Sequence, residues 1–254
     1  MSTRPLRHVP VRHCRIEVLF ELAKEGAKPN GLQFDAKSDR LFIADQGDGS
    51  MITVSDPRGN RKETIFATDS QGPSGITVMP WNGEEAIVMS STYGRALTFI
   101  RGEKVTAVDC RGVGVGIVAF AADHTSGTQT GYHGLEFDGQ HLWAVSPPGQ
   151  AVFRIELKPN EAGQPRVVGC SWFSIAFGDR PHGMAWADPS HRTAWCNDTT
   201  IGTIYRYDVT TGQCLEILVL PVDAPQSHGM TIVNGEIWYC EDTTAKIVRV
   251  IPEV

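Results

Sequence analysis

The feature that most constrains this chain is that it repeats itself. Five segments share one pattern, a glycine opening an alternating strand: Pro29-Asn30-Gly31-Leu-Gln-Phe, Pro73-Ser74-Gly75-Ile-Thr-Val, Tyr132-His133-Gly134-Leu-Glu-Phe, Pro181-His182-Gly183-Met-Ala-Trp and Ser227-His228-Gly229-Met-Thr-Ile. A turn follows each: 35–39, Asn82-Gly83, Asp138-Gly139, 188–190 and Asn234-Gly235. Asn-Gly and Asp-Gly are strong hairpin signals. Second strands follow at 41–45, 86–91, 142–146, 194–197 and 237–241, and third strands at 50–54, 96–100, 151–157, 203–207 and 246–251. The opening glycines lie 44, 59, 49 and 46 residues apart. A period near 40–50 with about four strands per unit is the signature of a β-propeller.

The fold expected is therefore all-β, a single five-bladed propeller over 1–254. Blades fall near 29–70, 73–110, 131–176, 181–221 and 227–254, behind an N-terminal arm at 1–14. The last unit lacks a fourth strand before Val254, and 15–22 reads as a strand without a unit. The economical solution is that 15–22 closes the last blade and leaves no sheet edge exposed. The wide gap between the second and third glycines holds the glycine-rich stretch 112–130, which leaves a degenerate sixth blade as the alternative. That stretch lacks the G-x-x-x-x-G-K-S/T pattern of a phosphate cradle, and a loop of its length suits a lid.

Composition narrows the partners. With 41% apolar and 20% charged residues in 254, the chain can bury a full core. A net charge of −6 without a large Lys/Arg cluster speaks against a nucleic-acid surface. No apolar run approaches the roughly 18 residues that span a bilayer. The first ten residues hold no apolar core of a secretory signal. The six cysteines show no C-x-x-C or zinc spacing, which reads as reduced thiols in the cytoplasm.

Repeats allow residues to be compared within one chain, and two polar columns emerge. The residue before each opening glycine is Asn30, Ser74, His133, His182 or His228. The second column, at the end of the second strand, reads Asp45, Ser91, Ser146, Asn197 and Glu241, counted back eight residues from the third strand, or nine in the fourth unit because Gly202 is extra. Polar residues at buried strand positions cost free energy unless satisfied. Two such rings mark a site or a wet tunnel at one mouth of the channel, and His-Gly at a strand start also serves as a turn device. Histidine titrates near neutrality and suits general acid–base work. Carboxylates and amides suit Mg²⁺ or Ca²⁺; three imidazoles suit Zn²⁺, Mn²⁺ or Fe²⁺. Trp195 and Tyr239 share the parity of Asn197 and Glu241, which places them in a pocket lining. Cys196 and Cys240 read as core. No G-x-S-x-G elbow is present, so Ser91 and Ser146 have no nucleophile context.

Pro181-His182-Gly183, Ser227-His228-Gly229 and Ile237-Trp238-Tyr239-Cys240-Glu241 resemble the last blades of streptogramin B lyases (virginiamycin B lyase), over about the last 75 residues. More loosely, the repeats are similar to NHL and gluconolactonase-type propellers. The resemblance implies a Mg²⁺-assisted elimination in which a histidine removes a proton beside a carbonyl. Carried onto this sequence, His228 is the base, Glu241 a metal ligand and His182 a supporting residue. Glu241, Asn197 and Asp45 imitate the gluconolactonase metal set. The lyases have seven blades and give His133 no role. The reading is a metal-assisted lyase or lactone-opening enzyme acting on a small oxygenated molecule. His228, His182 and Glu241 form its catalytic centre; His133, Asn30, Asn197, Tyr239 and Trp195 contact substrate; Glu241, Asp45 and Asn197 hold the metal. The alternatives are a transition-metal enzyme built on His133, His182 and His228, and a non-catalytic binding scaffold.

Overall fold

The computed structural model describes residues 8–22, 25–47, 51–66, 70–110, 131–175 and 178–253. The stretch 112–130, with the lid and the sixth repeat placed there, lies outside the described residues, as do 1–7 of the arm. The described residues hold twenty strands and no helix. The first is β1 (Val11–Glu21). Three four-stranded antiparallel sheets follow. One comprises β2 (Pro29–Asp35), β3 (Arg40–Asp45), β4 (Met51–Ser55) and β5 (Arg61–Phe66). The next comprises β6 (Pro73–Trp81), β7 (Glu84–Ser91), β8 (Ala96–Arg101) and β9 (Lys104–Asp109). The third comprises β10 (Leu135–Phe137), β11 (Leu142–Ser146), β12 (Ala151–Pro159) and β13 (Pro165–Ser174).

An eight-stranded sheet completes the molecule. One half is β14 (Pro181–Trp186), β15 (Thr193–Asp198), β16 (Thr203–Asp208) and β17 (Cys214–Val219). The other is β18 (Met230–Val233), β19 (Glu236–Cys240) and β20 (Lys246–Pro252), with β1 between the halves. β1 runs antiparallel to β20 from Cys14↔Pro252 to Glu21↔Lys246, and its first residues pair parallel with β17 at Val11↔Ile217 to His13↔Val219. The N-terminal segment therefore satisfies the backbone of the C-terminal sheet, and its start welds that sheet to the preceding one.

Local chemistry sets the registers. Asn82 and Gly83 have φ of 52° and 82°, Asn234 and Gly235 of 51° and 85°. Two successive left-handed residues make a type I′ turn, which pairs Trp81 with Glu84 and Val233 with Glu236. Asp138-Gly139 behaves differently. Asp138 accepts the N–H groups of Gln140 and His141, and the hairpin widens to pair Phe137 with Leu142.

The second strands read as continuous apolar runs because both of their faces are buried. Along β3, Phe42 and Ala44 pack with Ile76, Ile87, Met89 and Ile100 of the next sheet, while Leu41 and Ile43 pack with Val233, Trp238, Cys240 and Ile247 of the last strands. Further clusters join β6–β9 to β10–β12, β11 and β12 to β14–β16, and β14–β17 to β18–β20. The packing thus returns to its starting point. Each fully buried Leu, Ile or Phe contributes about 1.5–3 kcal/mol.

At the axis the opening strands touch one another directly. A Cβ on Gly31 would fall 1.7 Å from the Ser74 carbonyl oxygen, and one on Gly75 would fall 1.8 Å from the His133 oxygen. Glycine is required here by close backbone approach. Gly75→Ala is expected to lower stability by about 3 kcal/mol or more, or to prevent folding, as read by urea denaturation.

On β10, Glu136 is buried and accepts the backbone N–H groups of Trp186 and Phe137. Thr231 makes the matching bond between neighbouring sheets, accepting Phe34 N–H at 2.9 Å. Burial pushes the Glu136 carboxyl up to about 8, against the two hydrogen bonds that lower it. The unfolded chain releases this proton near pH 4.5 and the folded chain near 8, so stability falls as pH rises between them. Relative to Glu136→Gln, the native protein is expected to lose up to about 1.4 kcal/mol per pH unit across that window in denaturation midpoints.

Candidate functional site

The glycine that lets each strand reach the axis delivers the preceding side chain to it. Asn30, Ser74, His133, His182 and His228 are all buried, none more than 5% exposed. They meet in order around the axis. Ser74 Oγ donates to Asn30 Oδ1 at 2.6 Å. Asn30 Nδ2 lies 3.0 Å from His228 Nδ1, which lies 3.3 Å from His182 Nε2. The His182 ring meets His228 and His133 edge-on, with centroids 4.6 and 4.4 Å apart. His133 Nδ1 faces the Gly131 carbonyl at 3.1 Å. The open channel expected from the sequence is filled at this level, because backbones in near contact leave room for little more than the side chains themselves. Burial, with the charges of His133, His228 and Arg180, holds His182 well below the usual imidazole range. Burial also lowers His228, aided by Arg180 and opposed by Asp242 and Glu241. Both shifts favour the neutral imidazole.

The second column is a set of turn caps. Asp45 Oδ1 accepts Lys28 N–H and Gly47 N–H, each at 2.7 Å. Ser91 Oγ accepts Gln71 N–H at 2.7 Å, and Ser146 Oγ accepts Gly149 N–H at 3.2 Å. Glu241 Oε1 accepts Thr243 N–H at 2.6 Å, and Oε2 accepts Thr244 N–H and Oγ1–H at 2.7 and 2.5 Å. Burial would raise the Glu241 carboxyl, but these hydrogen bonds outweigh it and lower its pKa. In the fourth unit the cap is Asp198, which accepts the N–H groups of Asp179, Arg180, Thr200 and Ile201. Pairing agrees, since Asp45 lies opposite Pro29 and Asp198 opposite Pro181. Asn197 is thus one residue out of register with the column. It accepts Gly183 N–H at 2.6 Å and donates to the His228 carbonyl at 2.8 Å, a bridge between units. Ser90 makes the same bridge to the His133 carbonyl at 3.0 Å.

These commitments bear on the expected metal sets through donor chemistry. Both Glu241 carboxylate oxygens, Asp45 Oδ1 and Asn197 Oδ1 each accept from separate local N–H groups. Among the described residues no three His, Cys, Asp or Glu side chains converge to hold an ion. That includes His133, His182 and His228, whose rings pack edge to face. Neither the Mg²⁺ set nor the three-imidazole set fits as drawn from the sequence. Tyr239 and Trp195 also depart from their expected role. Tyr239 is buried in the core beside Met230 and Val248, with its hydroxyl on the Pro225 carbonyl at 3.0 Å. Trp195 packs on the same cluster under the Arg206 guanidinium, 5.5 Å from the ring. Cys196 and Cys240 are core residues whose thiols burial pushes upward.

One residue missed by the columns stands next to Glu241. Asp242 Oδ1 approaches His228 Nε2 to 3.3 Å, without the alignment of a hydrogen bond. Catalytic contacts are often loose before substrate binds. Asp242 also lines a cleft of about 510 Å³, with residues 26–28 on one wall and 242–245 on the other. The other units show what the turn itself needs at this position, namely Gln46, Thr92, Pro147 and Thr199. A carboxylate is therefore not demanded by the turn. The signal was hidden because Asp198-Thr-Thr and Asp242-Thr-Thr look alike, although structurally they are offset by one residue.

The chain matches no family model and no curated protein. Solved structures do match. A Myxococcus xanthus glutaminyl cyclase aligns over 96% of this chain and 100% of its own, with TM-score 0.60 and 13% identity. A Xanthomonas campestris gluconolactonase aligns over 94% and 80%, with TM-score 0.52 and 16% identity. A nidogen/laminin complex aligns over 85% and 73%, with TM-score 0.52 and 14% identity. At such identities the likeness establishes the fold, and the chain is an all-β protein of propeller type.

Glu241→Ala is expected to cost about 1–2 kcal/mol in denaturation, the loss of a buried cap. Because the folded carboxyl is the more acidic, the difference holds above pH 4.5 and shrinks as pH falls below it. Calorimetric Mg²⁺ titration is expected to give the same result for variant and parent.

Proposed function

We propose that this chain is a five-bladed propeller enzyme that opens a small lactone- or ester-type substrate by proton transfer in the cleft beside Asp242. The observation that carries this reading is the position of Asp242, which touches the buried imidazole of His228 and the cleft at once. Asp242 takes the proton, from water in a hydrolysis or from carbon in an elimination. His228 backs the carboxylate from the dry side. Lys28 lines the same cleft, is exposed, and supplies positive charge for an oxygen on which charge develops. The names cyclase and lactonase borne by two structural neighbours denote the closing and opening of rings, which supports the class of chemistry. No step passes through a metal, since the donor set does not fit one. A scaffold reading draws on the axial hydrogen bonds that the ring satisfies internally, and it requires no turnover at all.

Turnover of a lactone and ester panel by pH-stat, with products analysed in H₂¹⁸O, separates hydrolysis from elimination. Asp242→Asn is expected to lower kcat by about 100-fold or more with the fold intact. Full activity in that variant, or none in the parent across the panel, would sink the proposal.

A further inference from the structure

We infer that an axial hydrogen-bond chain holds His228 as its Nε2–H tautomer, lone pair inward, and that Asn30 is the positioning residue. The catalytic meaning rests on the reading of Asp242 given above; the tautomer itself does not.

The chain runs from Ser74 Oγ to the Asn30 amide, to His228 Nδ1, to His182 Nε2. Its two ends give the same answer. At the outer end Nε2 faces the Asp242 carboxylate at 3.3 Å. A lone pair there would oppose negative charge, whereas an N–H is attracted to it. The neutral ring carries one proton, so Nδ1 is then an acceptor. At the inner end, Asn30 Nδ2 stands 3.0 Å from Nδ1, and an amide nitrogen can only donate. Ser74 satisfies the other end of that amide by donating to Oδ1. Amide oxygen and nitrogen exchange easily on shape alone, and it is Asp242 that breaks the tie.

His182 fits the same assignment. Its Nδ1 is buried with no hydrogen-bond partner among the described residues. A proton on Nε2 points it at His228 Nδ1 and leaves a lone pair orphaned, instead of the costlier orphaned N–H. The reverse tautomer of His228 requires three changes together. The Asn30 amide must turn, His182 must bury an unpaired Nδ1–H, and a lone pair must face a carboxylate.

The consequence is a change of roles. A His228 locked in this form turns its Nε2–H toward the Asp242 carboxylate, close enough for attraction though not aligned as a hydrogen bond, and has no acceptor turned toward the cleft. It orients the carboxylate and does not itself take the substrate proton, which is the role that the lyase resemblance implied. Asn30 and Ser74, buried on the first and second units, govern which ring atom carries the hydrogen.

Ring ¹⁵N NMR of uniformly labelled protein at pH 7, without substrate, reads the tautomer directly. The expected His228 pattern is a protonated Nε2 and a bare Nδ1, with assignment by His228→Asn. Asn30→Asp keeps the shape and replaces the donor by an acceptor. It is expected to move the proton to Nδ1 or to protonate both nitrogens. With an identified substrate, it is expected to lower kcat about tenfold with KM within about twofold, and to shift the pH profile. A parent protein showing Nδ1–H, or a folded Asn30→Asp with an unchanged His228 pattern, overturns the inference. Should Asn30→Asp fail to fold, the parent spectrum decides. If the pattern is as inferred while Asp242→Asn keeps full turnover, the proposed function falls and the tautomer stands.

Discussion

The structure depends on what is missing from five residues. Without a Cβ, the opening strands approach until backbone meets backbone, as at Gly31 against Ser74 and Gly75 against His133. Alanine at those points would overlap a carbonyl oxygen. The packing between sheets is ordinary apolar burial and tolerates volume-conserving change. The axial contact does not, because main-chain atoms cannot be repacked. The residue before each glycine is then carried inward with no choice of environment. It must fit a narrow dry space and hydrogen-bond within it, which is why the column is polar, small or aromatic with nitrogen. Unpaired polar groups there would each cost about 1–3 kcal/mol.

Repetition makes the chain its own set of substitutions. Where all units agree, the residue serves architecture: the opening glycine, and the polar cap that ends the second strand and collects nearby N–H groups. Aspartate, serine and glutamate all perform that capping, from Asp45 to Ser91 to Glu241. Where one unit departs from the rest, architecture does not account for it. Asp242 is such a departure, and so is the run of three imidazoles where the first two units use Asn30 and Ser74.

The fold was legible because its signals are local and repeated. Glycine spacing, Asn-Gly turns and alternating runs each survive without knowledge of the tertiary contacts, and the sheets follow them closely. The role of the second column was less legible. Its polarity was visible, but polarity alone does not distinguish an atom facing a void from one facing a backbone N–H. Asn197 takes the place of Asp198 in the column because Gly202 is counted as an extra residue; the regular eight residues back from Arg206 reach Asp198, which the pairing Pro181↔Asp198 supports. Trp195 and Tyr239 have the right parity, yet parity gives a face and not a depth, and their face is the packing between units. Glu136 carried no sequence signal, since its environment is assembled from Trp186 on another sheet.

The site's logic follows from placing a dry ring behind a wet cleft. Burial makes His228 and His182 poor cations, so Asp242 meets a dipole at His228 more than an imidazolium. A dipole orients a carboxylate without neutralising it, which leaves basicity for use on the cleft side. A full positive charge at the same place would hold the carboxylate firmly and blunt it as a base. The same packing that forces five side chains together therefore sets the electrical surroundings of Asp242, which lines the cleft. Rigidity at the axis and the placement of His228 behind Asp242 have a common cause in the close approach of glycine backbones.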